Sequence, residues 1–150
     1  MPSYSPPPIK LELEISSYTS VGTVDADVID DTQQVLVNND GYAIIRGYKY
    51  IFIVTPTLSI TKVSAQQTSE IRRESASKSA TGKYIVVDIN NTTINVYKNG
   101  SLLQQLTKSG FYESTTSERS IGISPNGKYI VVAGYNAAGT ALHVQVFKGT

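Results

Sequence analysis

One six-residue string occurs twice in this chain. Gly82-Lys83-Tyr84-Ile85-Val86-Val87 returns unchanged as Gly127-Lys128-Tyr129-Ile130-Val131-Val132, 45 positions further on. The flanks repeat as well. Ser79-Ala80-Thr81 precedes the first copy and Ser124-Pro125-Asn126 the second. Each copy is followed by a second run that alternates apolar and polar residues, Ile94-Asn95-Val96-Tyr97-Lys98 and Val144-Gln145-Val146-Phe147-Lys148. Alternation with period two is the pattern of a half-buried strand. Ser124-Pro125-Asn126-Gly127 is a turn leading into its strand, and Ser79-Ala80-Thr81-Gly82 occupies the same place in the first copy. The recurring unit is therefore turn, strand, turn, strand, and repeats of this kind bury their apolar faces by stacking on one another.

Ser124-Pro125-Asn126-Gly127-Lys128-Tyr129 resembles the Ser-Pro-Asp-Gly-Lys-Tyr signature that opens blades of WD40-like and TolB-like β-propellers. The copy from Ser79 is similar, with Ala80 in place of proline. The resemblance covers roughly residues 75–150. It implies four-stranded antiparallel blades and a role in binding protein or ligand rather than one chemistry. The Trp-Asp and Gly-His pairs of true WD40 repeats are absent. A third, poorer copy is expected to begin at Tyr48-Lys49-Tyr50-Ile51.

The rest of the chain extends the β reading. Asn38-Asn39-Asp40-Gly41 between Gln33–Val37 and Tyr42–Ile45 marks a hairpin. Thr23–Ile29, Tyr48–Val54 and Leu58–Val63 read as further strands, and the polar, mixed-charge stretch 64–79 as a surface loop. Four prolines in residues 1–8 make a flexible arm ahead of one all-β domain over 9–150. Ile9, Leu11, Leu13 and Ile15 alternate with Lys10, Glu12 and Glu14, which predicts an amphipathic strand. In the first copy the second strand is followed by Leu102–Leu106, a fourth strand that the last unit lacks. The 9–15 strand is expected to fill that place, in its own chain or in a neighbouring subunit. The fold class is thus all-β, with antiparallel blade-like sheets arranged as a propeller or a sandwich.

Composition removes several functions. Net charge is +1, so no global field draws the chain to nucleic acid. There is no cysteine and a single histidine, His143, so neither a thiolate nucleophile nor a usual zinc set can be built. His143 is expected on a strand surface. No apolar run reaches the ~20 residues of a membrane-spanning helix. Asp25, Asp27, Asp30 and Asp31 lack calcium-loop spacing, and Glu12 and Glu14 read as the polar face of their strand rather than a glycosidase pair. Arg72, Arg73, Lys78 and Lys83 are interrupted by Glu70 and Glu74. The sequons at Asn90, Asn91 and Asn99 read first as turn residues.

No catalytic residue, metal or cofactor is expected, and the chain is expected not to be an enzyme. The expectation is a structural protein of an exposed assembly (coat, appendage or virion component, extracellular), with itself or another protein as partner. Its contacts are assigned to Ile9, Leu11, Leu13 and Ile15 of the arm, and to Tyr135 and Asn136, which open the longer loop of the last unit. The alternative is a monomeric module that binds protein or glycan through that loop.

Overall fold

The repeat is built on a buried serine. Ser79 donates its backbone N–H to the Tyr84 carbonyl, and its hydroxyl accepts the N–H of Tyr84 at 3.0 Å. Ser124 does the same with Tyr129, at 2.9 Å to the hydroxyl. Gly82 and Gly127 each return an N–H to the serine carbonyl, with φ of +80°, a conformation that glycine adopts without steric cost. Asn38 has the serine's role in a third turn, where its carboxamide oxygen accepts the N–H groups of Asp40 and Tyr42. The third copy therefore begins at Asn38, not at Tyr48, which lies between two later strands. Its polar composition hid the homology: asparagine replaces serine and the lysine is missing.

The computed structural model describes residues 3–4, 12–65, 76–90, 92–112 and 120–150. Among them the chain forms strands only: β1 (Tyr18–Asp25), β2 (Thr32–Val37), β3 (Ala43–Gly47), β4 (Tyr50–Val54), β5 (Ile60–Ala65), β6 (Ala76–Lys78), β7 (Tyr84–Asp88), β8 (Thr93–Lys98), β9 (Ser101–Thr107), β10 (Ser120–Ile123), β11 (Tyr129–Tyr135) and β12 (Leu142–Gly149). They make three four-stranded antiparallel sheets. The first blade is β2-β3-β4-β5, the second β6-β7-β8-β9 and the third β10-β11-β12-β1. The first three strands of the third blade follow one another, and β1 returns from the other end of the chain to complete it. Architecture and repeat are those of propeller blades.

The strand expected over 9–15 is not the one that completes the blade. Residues 9–11 lie outside the described residues, and 12–17 form no strand. The completing strand is Tyr18–Asp25, paired with β12 from Tyr18 opposite Gly149 to Asp25 opposite His143. A bulge between Ser20 and Gly22 breaks its alternation, which is why the sequence pattern was weak there. Likewise the loop expected over 64–79 has strand residues at both ends, 64–65 and 76–78. Residues 66–75, with Arg72 and Arg73, lie outside the described residues, as does most of the 1–8 arm.

The third blade sits between the other two. β10 packs against β2 on one side and against β6 and β7 on the other. Successive residues of β11 therefore serve two cores. Ile130 and Val132 join Tyr84, Val86, Ile94 and Val96 of the second blade. Val131 and Ala133 join Val35, Ile45, Phe52 and Val54 of the first. A strand covered on both faces loses the polar alternation, which accounts for the unbroken apolar run Ile130–Ala133.

Candidate interaction surface

Each blade meets the next in the same way. The tyrosine that opens β7 lies over the turn glycine of the third blade: a Cβ on Gly127 would stand 2.6 Å from Cδ2 of Tyr84. The tyrosine that opens β11 lies over the turn of the first blade, where a Cβ on Gly41 would stand 2.9 Å from Cζ of Tyr129. Beside the rings the turns themselves are bonded. Ala80 N–H donates to the Pro125 carbonyl at 2.9 Å, and Asn126 N–H to the Asn39 side-chain oxygen at 2.7 Å. A small turn residue is required because the neighbouring ring fills the space a side chain would need.

Residues 12–17 form a strap across the second and third blades. Leu13 N–H donates to the Asn126 carbonyl, and Ile15 N–H to the Tyr84 hydroxyl at 2.7 Å. Ile15 is buried in the core between those blades, whereas Leu13 is exposed. One carboxylate oxygen of Glu12 accepts from the Ser79 hydroxyl and from both the N–H and the hydroxyl of Thr81. Burial pushes the Glu12 carboxyl up, and these hydrogen bonds from Thr81 and Ser79, with the charge of Lys83, outweigh it and hold the group below the usual value. Glu14 is paired with Lys83 and, at 3.0 Å, with Lys98. The hydrogen bonds from those lysines lower its carboxyl, and Glu14 in turn raises Lys98. Burial raises the Tyr18 phenol, which donates to the Gly127 carbonyl. The two glutamates thus hold the same turn, Ser79–Tyr84, through different partners, and Glu14 adds Lys98 of β8.

The other candidates are also tied to structural partners. His143 is buried, not on a strand surface. Its Nδ1 meets an Asp25 carboxylate oxygen at 2.5 Å, its Nε2 donates to the Ser109 carbonyl at 2.9 Å, and Phe111 packs edge-on with centroids 4.6 Å apart. The sequence could not show this, because Asp25 and Ser109 are brought in only by the returning strand and by the chain between β9 and β10. Asp30 is buried too, and its carboxylate accepts the N–H groups of Lys49 and Tyr50 in the β3–β4 turn. No group of three or more metal-ligating side chains occurs among the described residues. Nor is any helix there long and apolar enough to cross a membrane. Lys108 and Asp88 form a buried ion pair at 2.5 Å between the β7 and β9 ends, which no pattern in the sequence announced. The Asn136 side chain accepts from Thr140 N–H at 2.9 Å and Ala141 N–H at 3.3 Å in its own loop and donates to Asp25 on β1 at 3.4 Å, while Tyr135 accepts at its carbonyl from Tyr112 N–H.

Among the described residues, two rows of apolar side chains remain exposed. On the open face of the first blade, Leu36 is opposite Ile44 and Ile44 opposite Ile53, a row across three strands. Leu36 is 54% exposed and Ile44 47%. On the open face of the second blade, Ile85 is opposite Tyr97 and Tyr97 opposite Leu102, with Leu102 53% exposed. Scattered exposed apolar residues are ordinary; these are aligned in rows on two sheet faces.

No protein-family model matches the chain, and no curated protein does. Among solved structures it is similar to the β-propeller domain of Cps50 (Swd1) from Myceliophteria thermophila, at 16% identity and a TM-score of 0.33. That match takes in 79% of this chain and 38% of the other. The chain thus spans well under half of the propeller domain it resembles.

Proposed function

We propose that this chain is a non-enzymatic protein-interaction module that works within an assembly, through the two blade faces its own fold leaves open. The observation that carries this reading is the pair of in-register apolar rows, Leu36-Ile44-Ile53 and Ile85-Tyr97-Leu102. The candidate polar groups support it, since Glu12, Asp25, Asp30 and His143 are spent on turns and strand pairing. The cysteine-free chain, rich in serine, threonine, asparagine and tyrosine, fits an exposed structural assembly. Leu13 and the Tyr135 loop are secondary contacts in this reading; Ile9 and Leu11 of the arm lie outside the described residues.

The test is association of the purified chain, with itself or with proteins of its own source, followed for the parent and for Ile44→Glu and Ile85→Glu. Both positions are exposed enough to accept a charge without unfolding the blade. Binding that falls by about tenfold or more in either variant is expected. Association untouched by both variants, or none at all, would overturn the reading.

A further inference from the structure

The joints between blades have a direction, and the chain carries one unused half of the joint at each end. The tyrosine side of a joint is Tyr84 in the second blade and Tyr129 in the third; the glycine side is Gly127 in the third and Gly41 in the first. The first blade has its own tyrosine at the same place. Its turn is one residue shorter, since Asn38 N–H bonds to the Tyr42 carbonyl where Ser124 bonds to Tyr129. The register agrees: Ala43 faces Val54 as Ile130 faces Phe147 and Ile85 faces Tyr97. Tyr42 is therefore the counterpart of Tyr84 and Tyr129. Yet Tyr84 is fully buried and Tyr42 is 47% exposed. On the other side, Gly82 is the counterpart of Gly127 and Gly41, and a Cβ on Gly82 would meet nothing within 4 Å among the described residues.

The faces follow the tyrosines. Ile44 and Ile53 correspond to Val131 and Val146, the third-blade residues pressed on the first blade. Ile85 and Tyr97 correspond to Ile130 and Phe147, the third-blade residues that receive the second. The first blade thus shows an unused pressing face with a free tyrosine ring. The second shows an unused receiving face with an open glycine turn.

We infer that a second copy of this chain supplies the missing half, with Tyr42 and the Leu36-Ile44-Ile53 face of one copy seated on Gly82 and the Ile85-Tyr97-Leu102 face of the other. This names the partner for the function proposed above and rests on that reading. The joint is heterologous, because the two surfaces differ. Two copies with three blades each close a ring of six, inside the typical range of about four to eight blades. The same joint cannot close within one copy without wrapping three blades into a full circle, tighter than that range.

The experiment uses the absence of cysteine. Ile44→Cys and Ile85→Cys are made separately, and the solution mass and disulfide formation are followed for each variant and for their mixture. A dimer that oxidises to a covalent pair only in the mixture is expected, with Ile44→Glu and Ile85→Glu each reducing it to monomer. Self-cross-linking of either variant alone would mean a symmetric interface and overturn the inference, as would a chain that stays monomeric at all concentrations. A monomer that still binds another protein in an Ile44-dependent way would sink the second copy as partner while leaving the interaction module intact.

Discussion

The third blade and the second carry the same six residues and lead different lives. In the third, Ile130 is fully buried; in the second its counterpart Ile85 is 38% exposed. The strand, the turn and the buried serine are the same, so the difference arises from position in the stack and not from the local sequence. The repeat specifies a blade that can be covered on both sides. Only the blade in the middle is so covered.

That comparison can be broken most forcefully at the matched isoleucines. Ile130→Ala removes a side chain packed on every side and is expected to cost about 2–5 kcal/mol. Ile85→Ala is expected to cost about 1 kcal/mol or less in dilute chain, since water already reaches the site. Denaturant unfolding of the two variants checks this. Should Ile85→Ala become more costly as concentration rises, the added cost is that of an intermolecular joint. Equal costs in dilute chain would mean that the faces do not differ as described.

A smaller contrast lies in the turns. Gly82 and Gly127 share a φ of +80°, so alanine at either position carries the same backbone strain, about 1 kcal/mol. At Gly127 the new methyl also meets the Tyr84 ring, which adds about 1–3 kcal/mol of overpacking. Gly127→Ala should therefore lower the melting temperature distinctly more than Gly82→Ala. If the two shifts match, Tyr84 is not wedged against the turn.

The blades were legible because they repeat. Tyr84 and Tyr129 advertised a shared packing role, and the want of a counterpart to Leu102–Leu106 in the last unit pointed to a strand supplied from elsewhere. What misled was amphipathicity. Residues 9–15 have the cleaner pattern, yet Glu12 and Ile15 owe their places to a hydroxyl-lined turn and an interblade core, not to a sheet. The true strand, Tyr18–Asp25, is bulged and bears glycine and serine, so its pattern is faint. Tyr42 was visible, but its meaning depended on a one-residue difference in turn length that only the hydrogen bonds reveal. His143 and Lys108 were unreadable as buried groups, since their partners come from distant segments.

The returning strand allows a third test. Asp25 on β1 holds His143 on β12, a link between the first and last strands of the chain that the other two blades lack. Asp25→Ala leaves a buried imidazole nitrogen without its carboxylate and is expected to cost about 1–3 kcal/mol. His143→Phe combined with Asp25→Ala should recover part of that loss, because the imidazole nitrogen stranded by Asp25→Ala is then gone and only the Ser109 carbonyl has lost a donor. Additive losses in the double-mutant cycle would show that the pair is not coupled.

The smallest effect sets the strap against the blades it crosses. Glu12 is ionised in the fold below the usual carboxylate value of 4.5, so its hydrogen bonds to Ser79 and Thr81 stabilise the native state fully above pH 4.5. That contribution fades as pH falls through the lowered folded value. The hydrogen-bond donors are all neutral, so the expected loss in Glu12→Gln at pH 7 is only about 0.5–1 kcal/mol. The gap between parent and variant should narrow as pH drops below 4.5 and close once the carboxyl is protonated. Glu14→Gln should behave differently with salt, because its partners are the lysines Lys83 and Lys98 on an exposed surface and screening removes such pairing. A Glu12 effect that salt abolished as readily would mean that the charge of Lys83, and not the Thr81 turn, anchors the strap.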